Sequence, residues 1–237
     1  MTTADEVLQV VDREPVRRDD PPGVAGRLRR LCRAATHVLP AEGVGVSVMT
    51  SDAQVAMAAS DPRTSVLEEL QFLVGEGPCK DAFGTGLPVL CEDLAGPAAA
   101  RWPGYAPAVM AHGIRAVFAF PMQVGTARIG AVDVYRGEAG SLGEAVFVRA
   151  QHFTAFSLKT LLEPGAATVT PGIDEVGETD FAVYQAQGMV MIQLRVALDE
   201  ALARLRGYAY AHDRPLTEVA REILAGRLEL RDDTQDG

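Results

Sequence analysis

The sequence predicts an α+β domain built on one antiparallel sheet, followed by a small all-α module of three helices. Three observations predict it. Two pairs of β-rich runs occur in the first two thirds, each joined by a short polar turn and bracketed by helical segments. After Asp180 no β-rich run appears, and apolar positions recur every three or four residues. Between these regions, EPGAATVTPGIDEVGETD carries proline and glycine with little apolar content, the composition of a linker, assigned to residues 164–179.

Residues 1–22 mix charges of both signs, show no sustained period and end in Asp-Pro-Pro-Gly, which predicts a flexible leader. From Val24 to about Pro40, Leu28, Leu31 and the apolar run to Val38 predict a first helix. GVGVSVMT and QVAMAAS, separated at Ser51-Asp52-Ala53, predict a hairpin. A polar helical segment follows around Ser65 to Phe72, then the glycine-rich turn VGEGPCKDAFGTG and a short strand in PVLCEDL. After RWPGYAPAVMAHG, the runs IRAVFAFPMQV and ARIGAVDVYRG meet at Gly125-Thr126 as a second hairpin. A last helix of this domain runs from about Leu142 to Leu162. The boundaries are therefore 24–163 for the α+β domain, 180–230 for the helical module and 231–237 for a flexible tail.

Of the 237 residues 48% are hydrophobic and 23% charged, the composition of a soluble globular chain. No apolar stretch approaches the roughly 18 residues that span a bilayer, and the N-terminus lacks the basic-then-apolar pattern of a signal peptide. Three cysteines without paired spacing suit a reducing cytoplasm. No metal-ligand spacing, nucleotide-binding loop or serine elbow is present, so neither metal nor cofactor is expected. The net charge of −10 is adverse for a nucleic-acid binder. In residues 180–230, however, six arginines face seven acids, a net charge of −1. That balance permits a local basic patch and does not argue for one.

Within the helical module, QAQGMVM (Gln185 to Met191), DEALARLRGYAYAHDRPL (Asp199 to Leu216) and EVAREIL (Glu218 to Leu224) resemble the ANTAR domain, an RNA-binding module of bacterial transcription antiterminators. Upstream, GEGPCKDAFGTGLPVLCEDL and GIRAVFAFPMQVGTARIGAVDVYRG resemble the GAF domain, a small-molecule sensor module. The resemblance implies a non-enzymatic, signal-responsive antitermination regulator whose partner is RNA, gripped at hairpin loops in nascent transcripts. It also implies a ligand held between the sheet and its covering loops, of a class the residues do not select. Two positions depart from the ANTAR pattern. Ala197 stands where relatives commonly have Ser or Thr as a helix cap, and Gln187 where they often have Lys, a phosphate contact.

Candidate site residues follow from helix geometry. On the second helix Ala203, Gly207 and Ala211 form a stripe of small residues, flanked by Arg206 and Tyr210 on one side and Arg204 on the other. Such a surface admits a nucleic-acid loop, with Tyr210 to stack on a base and the arginines to hold phosphate. It equally admits a second helix, and the resemblance favours RNA. Arg214 and Arg221 on the third helix either extend the patch or are ordinary solvated arginines. The core face of the second helix is read as Leu198, Ala201, Leu202, Leu205, Ala209 and, at its margin, His212. The first helix has two apolar sides. One is Phe181, Tyr184, Gly188, Met191 and Ile192; the other, Val183, Val190 and Leu194 interrupted by Gln187, is assigned to a homodimer seam.

In the α+β domain, Asp133 in an apolar strand either faces the ligand pocket or faces water. Cys79 sits at a helix start, where the dipole favours a thiolate. With Cys91 it supplies the alternative reading, a cysteine redox switch or methionine sulfoxide reductase, against plain packing of both thiols. A protein-interaction module is a third reading. His112 is a haem ligand only if it faces the pocket; a surface position is the plainer reading.

Overall fold

The structure, a computed structural model, describes residues 3–50, 54–163, 178–212 and 214–230. It divides into two compact units, Met1–Ala167 and Thr168–Gly237. In the first unit, helices α1 (Thr3–Arg13) and α2 (Gly23–Val38) precede strands β1 (Gly43–Met49) and β2 (Gln54–Ala59). Helices α3 (Pro62–Val74) and α4 (Pro78–Thr85) lead to β3 (Val89–Cys91). A 3-10 turn (Pro97–Arg101) and α5 (Tyr105–Ala111) complete the crossover. Strands β4 (Ala116–Val124) and β5 (Ala127–Arg136) and helix α6 (Glu144–Leu162) close the unit. The second unit is α7 (Glu178–Leu194), α8 (Leu198–Ala211) and α9 (Leu216–Leu224).

The sheet is antiparallel throughout, in the order β2-β1-β5-β4-β3. The β4–β5 hairpin turns on Gly125-Thr126, with Gly125 at φ 57°, the left-handed conformation a two-residue hairpin loop requires. Register then fixes the faces. Gly45 and Ala119 both lie opposite Asp133, and Gly43 and Val117 opposite Tyr135. These residues share the face covered by α3, α4 and α5. Val44, Val46, Phe118, Phe120, Val132 and Val134 point the other way and are all buried.

The leader expected at residues 1–22 is instead helical over Thr3–Arg13. An isolated 11-residue helix is marginal in water, but α1 packs on α2 and α6, with Val7 fully buried. The charges that read as a solvated mixture close an ion-pair cluster. The Arg33 guanidinium donates to Glu14 Oε1 at 2.7 Å and to Asp20 Oδ1 at 2.6 Å, all three side chains being buried. Arg33 holds the Asp20 carboxyl down at about 2. The glycine-rich stretch contains α4, which Gly77 and Gly86 delimit. The expected linker over 164–177 and tail over 231–237 lie outside the described residues.

In the second unit α7 packs on both α8 and α9. Ala201, Leu202, Leu205 and Ala209 form the inner face of α8, and Leu216, Val219, Ala220 and Ile223 that of α9. Leu198 and His212, expected in this core, are both exposed, Leu198 to 42%, because they lie at the first residue of α8 and just past its last. Ala197 provides no side-chain cap, as the sequence implied.

Candidate functional sites

The α8 stripe is open. Ala203, Gly207 and Ala211 are exposed, and a Cβ added at Gly207 meets nothing within 4 Å. Among the described residues no helix fills the stripe; it lines a groove of about 530 Å³. Arg204, Tyr208, His212 and Leu194 share the lining, and Leu228, Glu229 and Leu230 belong to it as well. The Tyr208 ring stacks on His212, centroids 4.0 Å apart and planes inclined by 21°. Sequence reasoning missed this pair, although Tyr208 and His212 each follow a stripe residue by one position, within the same 100° of helix surface.

The flanking groups differ in availability. Tyr210 is 87% exposed. Arg204 donates to Glu200 at 3.1 Å, one turn away. Arg206 is half-buried, and that burial lowers its guanidinium from the ordinary arginine value against the opposing pull of Tyr184. Arg214 is held between Glu218 at 2.7 Å and Glu222 at 2.9 Å, which raise it. Arg221 is exposed. Arg204 lies on the groove with the stripe; Arg206, Tyr210, Arg214 and Arg221 are not part of its lining.

The expected dimer seam is overturned. Val183 and Val190 are fully buried, as is Gln187 between them, and Leu194 is half-buried. This stripe is the one that packs within the three-helix unit. The other apolar side faces out, with Ile192 73% exposed and Tyr184, Gly188 and Met191 partly so; the Phe181 side chain lies outside the description. Gln187 is no phosphate contact either. Its Nε2 donates to the Leu198 carbonyl at 2.7 Å, tying α7 to the start of the uncapped α8.

In the first unit the sheet face under α3 and α4 holds a buried polar cluster. Ser47, Glu68, Gln71, Asp133 and Tyr135 are all completely buried. Asp133 therefore faces inward and not water. Glu68 Oε2 accepts from Ser47 at 2.6 Å and its Oε1 from the Tyr135 hydroxyl at 2.7 Å. Gln71 Nε2 donates to Asp133 Oδ2 at 3.0 Å, while its Oε1 accepts from the Cys79 backbone N–H at 2.8 Å. Glycines make the room. A Cβ on Gly45 would lie 2.2 Å from Glu68 Oε1 and 2.6 Å from its Cγ. One on Gly77, at φ 142°, would lie 2.5 Å from Gln71 Oε1. Asp133 Oδ1 and the Tyr105 hydroxyl have no hydrogen-bond partner among the described residues.

Electrostatics follow from that burial. Desolvation raises Asp133 to about 6. It also pushes Glu68 well above the usual carboxylate range, helped by the neighbouring Asp133 charge. Two carboxyls in one dry site cannot both ionise cheaply. Thr64, Glu68 and Gln71 fall at steps of four and three on α3, so the signal for a buried polar face was present; it reads as an ordinary solvated helix until β1 is laid beneath it.

Cys79 is fully buried, and desolvation together with Asp133 and Glu68 raises its thiol well above the ordinary value. The thiolate expected from its place on α4 is thus absent: burial outweighs the helix dipole. Cys91 is also buried and raised, and it sits in a different core cluster from Cys79. Both are free thiols. His112 is exposed at the end of α5. Among the described residues no group of three or more His, Cys, Asp and Glu side chains could hold a metal, and no helix is long and apolar enough to cross a membrane.

Comparison with known families agrees with this layout. The GAF domain matches residues 25–160, more than half the chain, and the ANTAR domain matches residues 178–224. The chain belongs to the GAF family and carries an ANTAR domain. The GAF match runs from α2 to α6 and leaves α1 outside it; the ANTAR match ends with α9, before Leu228–Leu230. Among solved structures, the GAF domain of an Acinetobacter phosphoenolpyruvate-protein phosphotransferase is similar at TM-score 0.50 and 10% identity, covering 70% of this chain and 94% of its own. That of a Coxiella burnetii phosphoenolpyruvate-protein phosphotransferase gives 0.50 and 15%, covering 71% and 94%. Both likenesses show the fold alone. A free methionine-R-sulfoxide reductase from Neisseria meningitidis reaches 0.47 at 16% identity, covering 67% and 85%, too distant to bear on activity. No curated protein matches the chain.

Proposed function

We propose that this protein is a non-enzymatic, signal-responsive RNA-binding regulator of transcription antitermination, acting in the cytoplasm where transcripts emerge. The observation that carries the reading is the ANTAR match over 178–224, coinciding with a three-helix unit whose small-residue stripe lies open. RNA hairpin loops would approach the α8 backbone over Ala203, Gly207 and Ala211. Tyr210 offers a stacking face and Arg204 and Arg206 offer phosphate contacts, with Arg214 and Arg221 at the margin. The GAF domain is the sensor, its ligand meeting the cluster around Asp133. A ligand there shifts the regulator only through preference for one arrangement of the chain over another. Association of two copies would use the outward side of α7, around Met191 and Ile192.

The test is binding of a tandem-hairpin RNA to the full chain, followed by fluorescence anisotropy. Gly207→Leu should retain the helical circular dichroism signal and lose RNA affinity by bulk. Unchanged affinity in folded protein would move the site away from the stripe. The cysteine reading has a separate check: the Cys79→Ala, Cys91→Ala double variant should bind RNA as the parent does. Reduction of free methionine sulfoxide by the parent, abolished in that variant, would replace the regulator reading with an enzyme.

A further inference from the structure

We propose that the buried cluster of the first unit binds a small N–H-donating cation, ammonium or the protonated head of a primary amine, between Asp133 Oδ1 and the Tyr105 hydroxyl. The proposal rests on reading the GAF domain as the sensor and names the class of its ligand. The hydrogen bonds of the enclosure leave a specific gap. Glu68 is spent, one oxygen accepting from the Ser47 hydroxyl and the other from that of Tyr135. Gln71 is spent as well. Its amide donates to Asp133 Oδ2 and, at 3.3 Å, to the Tyr135 oxygen, while its carbonyl accepts the Cys79 N–H. Two groups are left over. Asp133 Oδ1 and the Tyr105 hydroxyl have no partner among the described residues, and both residues are 0% exposed. They share one enclosure: after burial itself, the Asp133 charge is the largest influence raising the Tyr105 hydroxyl.

An orphaned carboxylate oxygen in a dry site is costly, and its charge selects the ligand. An anion would meet two carboxyls, Asp133 and Glu68. A metal ion needs several oxygens turned toward it. Both Glu68 oxygens already accept hydroxyl protons, and among the described residues no group of three or more His, Cys, Asp and Glu side chains could hold a metal. Water would complete the hydrogen bonds and leave the charge uncompensated. An N–H cation does both, with one N–H to Asp133 Oδ1 and a second to a lone pair of the Tyr105 oxygen. The one buried basic residue among those described, Arg33, is held elsewhere by Glu14 and Asp20.

The Tyr105 side of the site is fixed in place. Glu76 Oε1 accepts from the N–H groups of Gly104 and Tyr105 at 2.7 and 3.0 Å, which pins the start of α5 and the ring it carries. That ring meets Trp102 edge-on, centroids 6.4 Å apart. The single tryptophan thus stands one ring away from the proposed cation and can report its arrival. Complete burial of both groups restricts the occupant to a small ion or a slim ammonium head.

The experiment titrates full-length protein with ammonium, methylammonium and tetramethylammonium chloride, against sodium chloride at equal ionic strength. Trp102 fluorescence reads binding, and thermal unfolding reads stabilisation. Ammonium or methylammonium should give a saturable change and, at about 100 times its Kd, raise Tm by several degrees. Tetramethylammonium, a cation without N–H, should do neither. Ammonium as the stronger ligand identifies the ion itself; methylammonium as the stronger identifies the amine of a larger molecule. Asp133→Asn keeps the shape and removes the charge, so saturation should disappear. Tyr105→Phe keeps the ring beside Trp102 and should weaken binding on the order of 10-fold. An equal response to all four salts, no response to any, or saturation surviving in Asp133→Asn overturns the cation site. That failure leaves the RNA reading standing, because RNA binding is measured separately by anisotropy. Saturation at Asp133 with RNA affinity identical at zero and saturating ammonium supports the site and removes the sensor role instead.

Discussion

The two units place their polar groups on opposite sides of the water boundary, and a glycine decides the outcome in each. Beneath α3, Gly45 makes way for Glu68, and the space is already filled. On α8, Gly207 fronts a groove, and the space is open. The first arrangement pushes carboxyls toward neutrality and makes stability depend on charge state; the second leaves side chains able to meet a partner. The residue type is the same, and the tertiary surroundings give it opposite uses.

The largest test of that contrast is Gly45→Ala. The new methyl overlaps the buried Glu68 side chain, with Cγ at 2.6 Å as well as the carboxyl oxygen, so a flexible tip cannot simply swing aside. A loss of about 2–4 kcal/mol is expected. It is measurable by urea denaturation followed through Trp102, the single tryptophan, which is buried in the first unit. In a Glu68→Ala background the added penalty should shrink; an equal penalty would mean that the side chain is not what Gly45 accommodates.

Stability of the first unit should also fall as pH rises from about 4 to 6. A carboxyl whose folded value is raised binds its proton more tightly in the native state, so the native state loses its advantage as that proton leaves. With Asp133 near 6 against an ordinary value of 3.8, the change is about 1–3 kcal/mol, and Glu68 acts in the same sense. Asp20 and Asp61 are lowered and act oppositely, Asp20 between about 2 and its ordinary value. Trp102-monitored unfolding across this range should show the decline, and Asp133→Asn should flatten it. A profile unchanged by that substitution would break the link to Asp133.

On the open side, Tyr210→Ala should cost about 1–3 kcal/mol of RNA affinity if the ring stacks on a base. At 87% exposure it should leave thermal stability nearly unchanged. Arg206→Ala, by contrast, should lower both, because that side chain is half-buried. A Tyr210 variant that binds normally would remove the stacking role.

The smallest effect has the opposite sign to the first. Gly207→Ala meets no neighbour within 4 Å and should stabilise α8 by up to about 1 kcal/mol through helix propensity. Thermal melting of the second unit, followed by helical circular dichroism in the full chain, checks it. Destabilisation would mean that the surface is not open there.

Much of the fold was legible because local patterns and tertiary environment agree. The β4–β5 hairpin follows from two alternating runs around Gly125-Thr126, and the inner face of α8 from Ala201, Leu202, Leu205 and Ala209. Where a pattern had two solutions, periodicity could not choose correctly, and the dimer seam assigned to Val183, Val190 and Leu194 was the wrong one. α7 is apolar on both sides, and periodicity assigns Val183 and Val190 to a face without saying what covers it. Packing against α8 and α9 makes that face the core.

By itself, then, the sequence determined the two modules, their order, the sheet and its hairpins, and the small-residue stripe, since these rest on spacing along one element. Only the tertiary structure decided what each face meets. It folded the charged N-terminus into a helix and closed Arg33 on Glu14 and Asp20 after it, buried Glu68 and Gln71 with Asp133, kept Cys79 a thiol, and brought Leu228–Leu230 to the α8 groove. Burial, ion pairing and protonation depend on neighbours distant in sequence, and periodicity within an element holds no information about those neighbours.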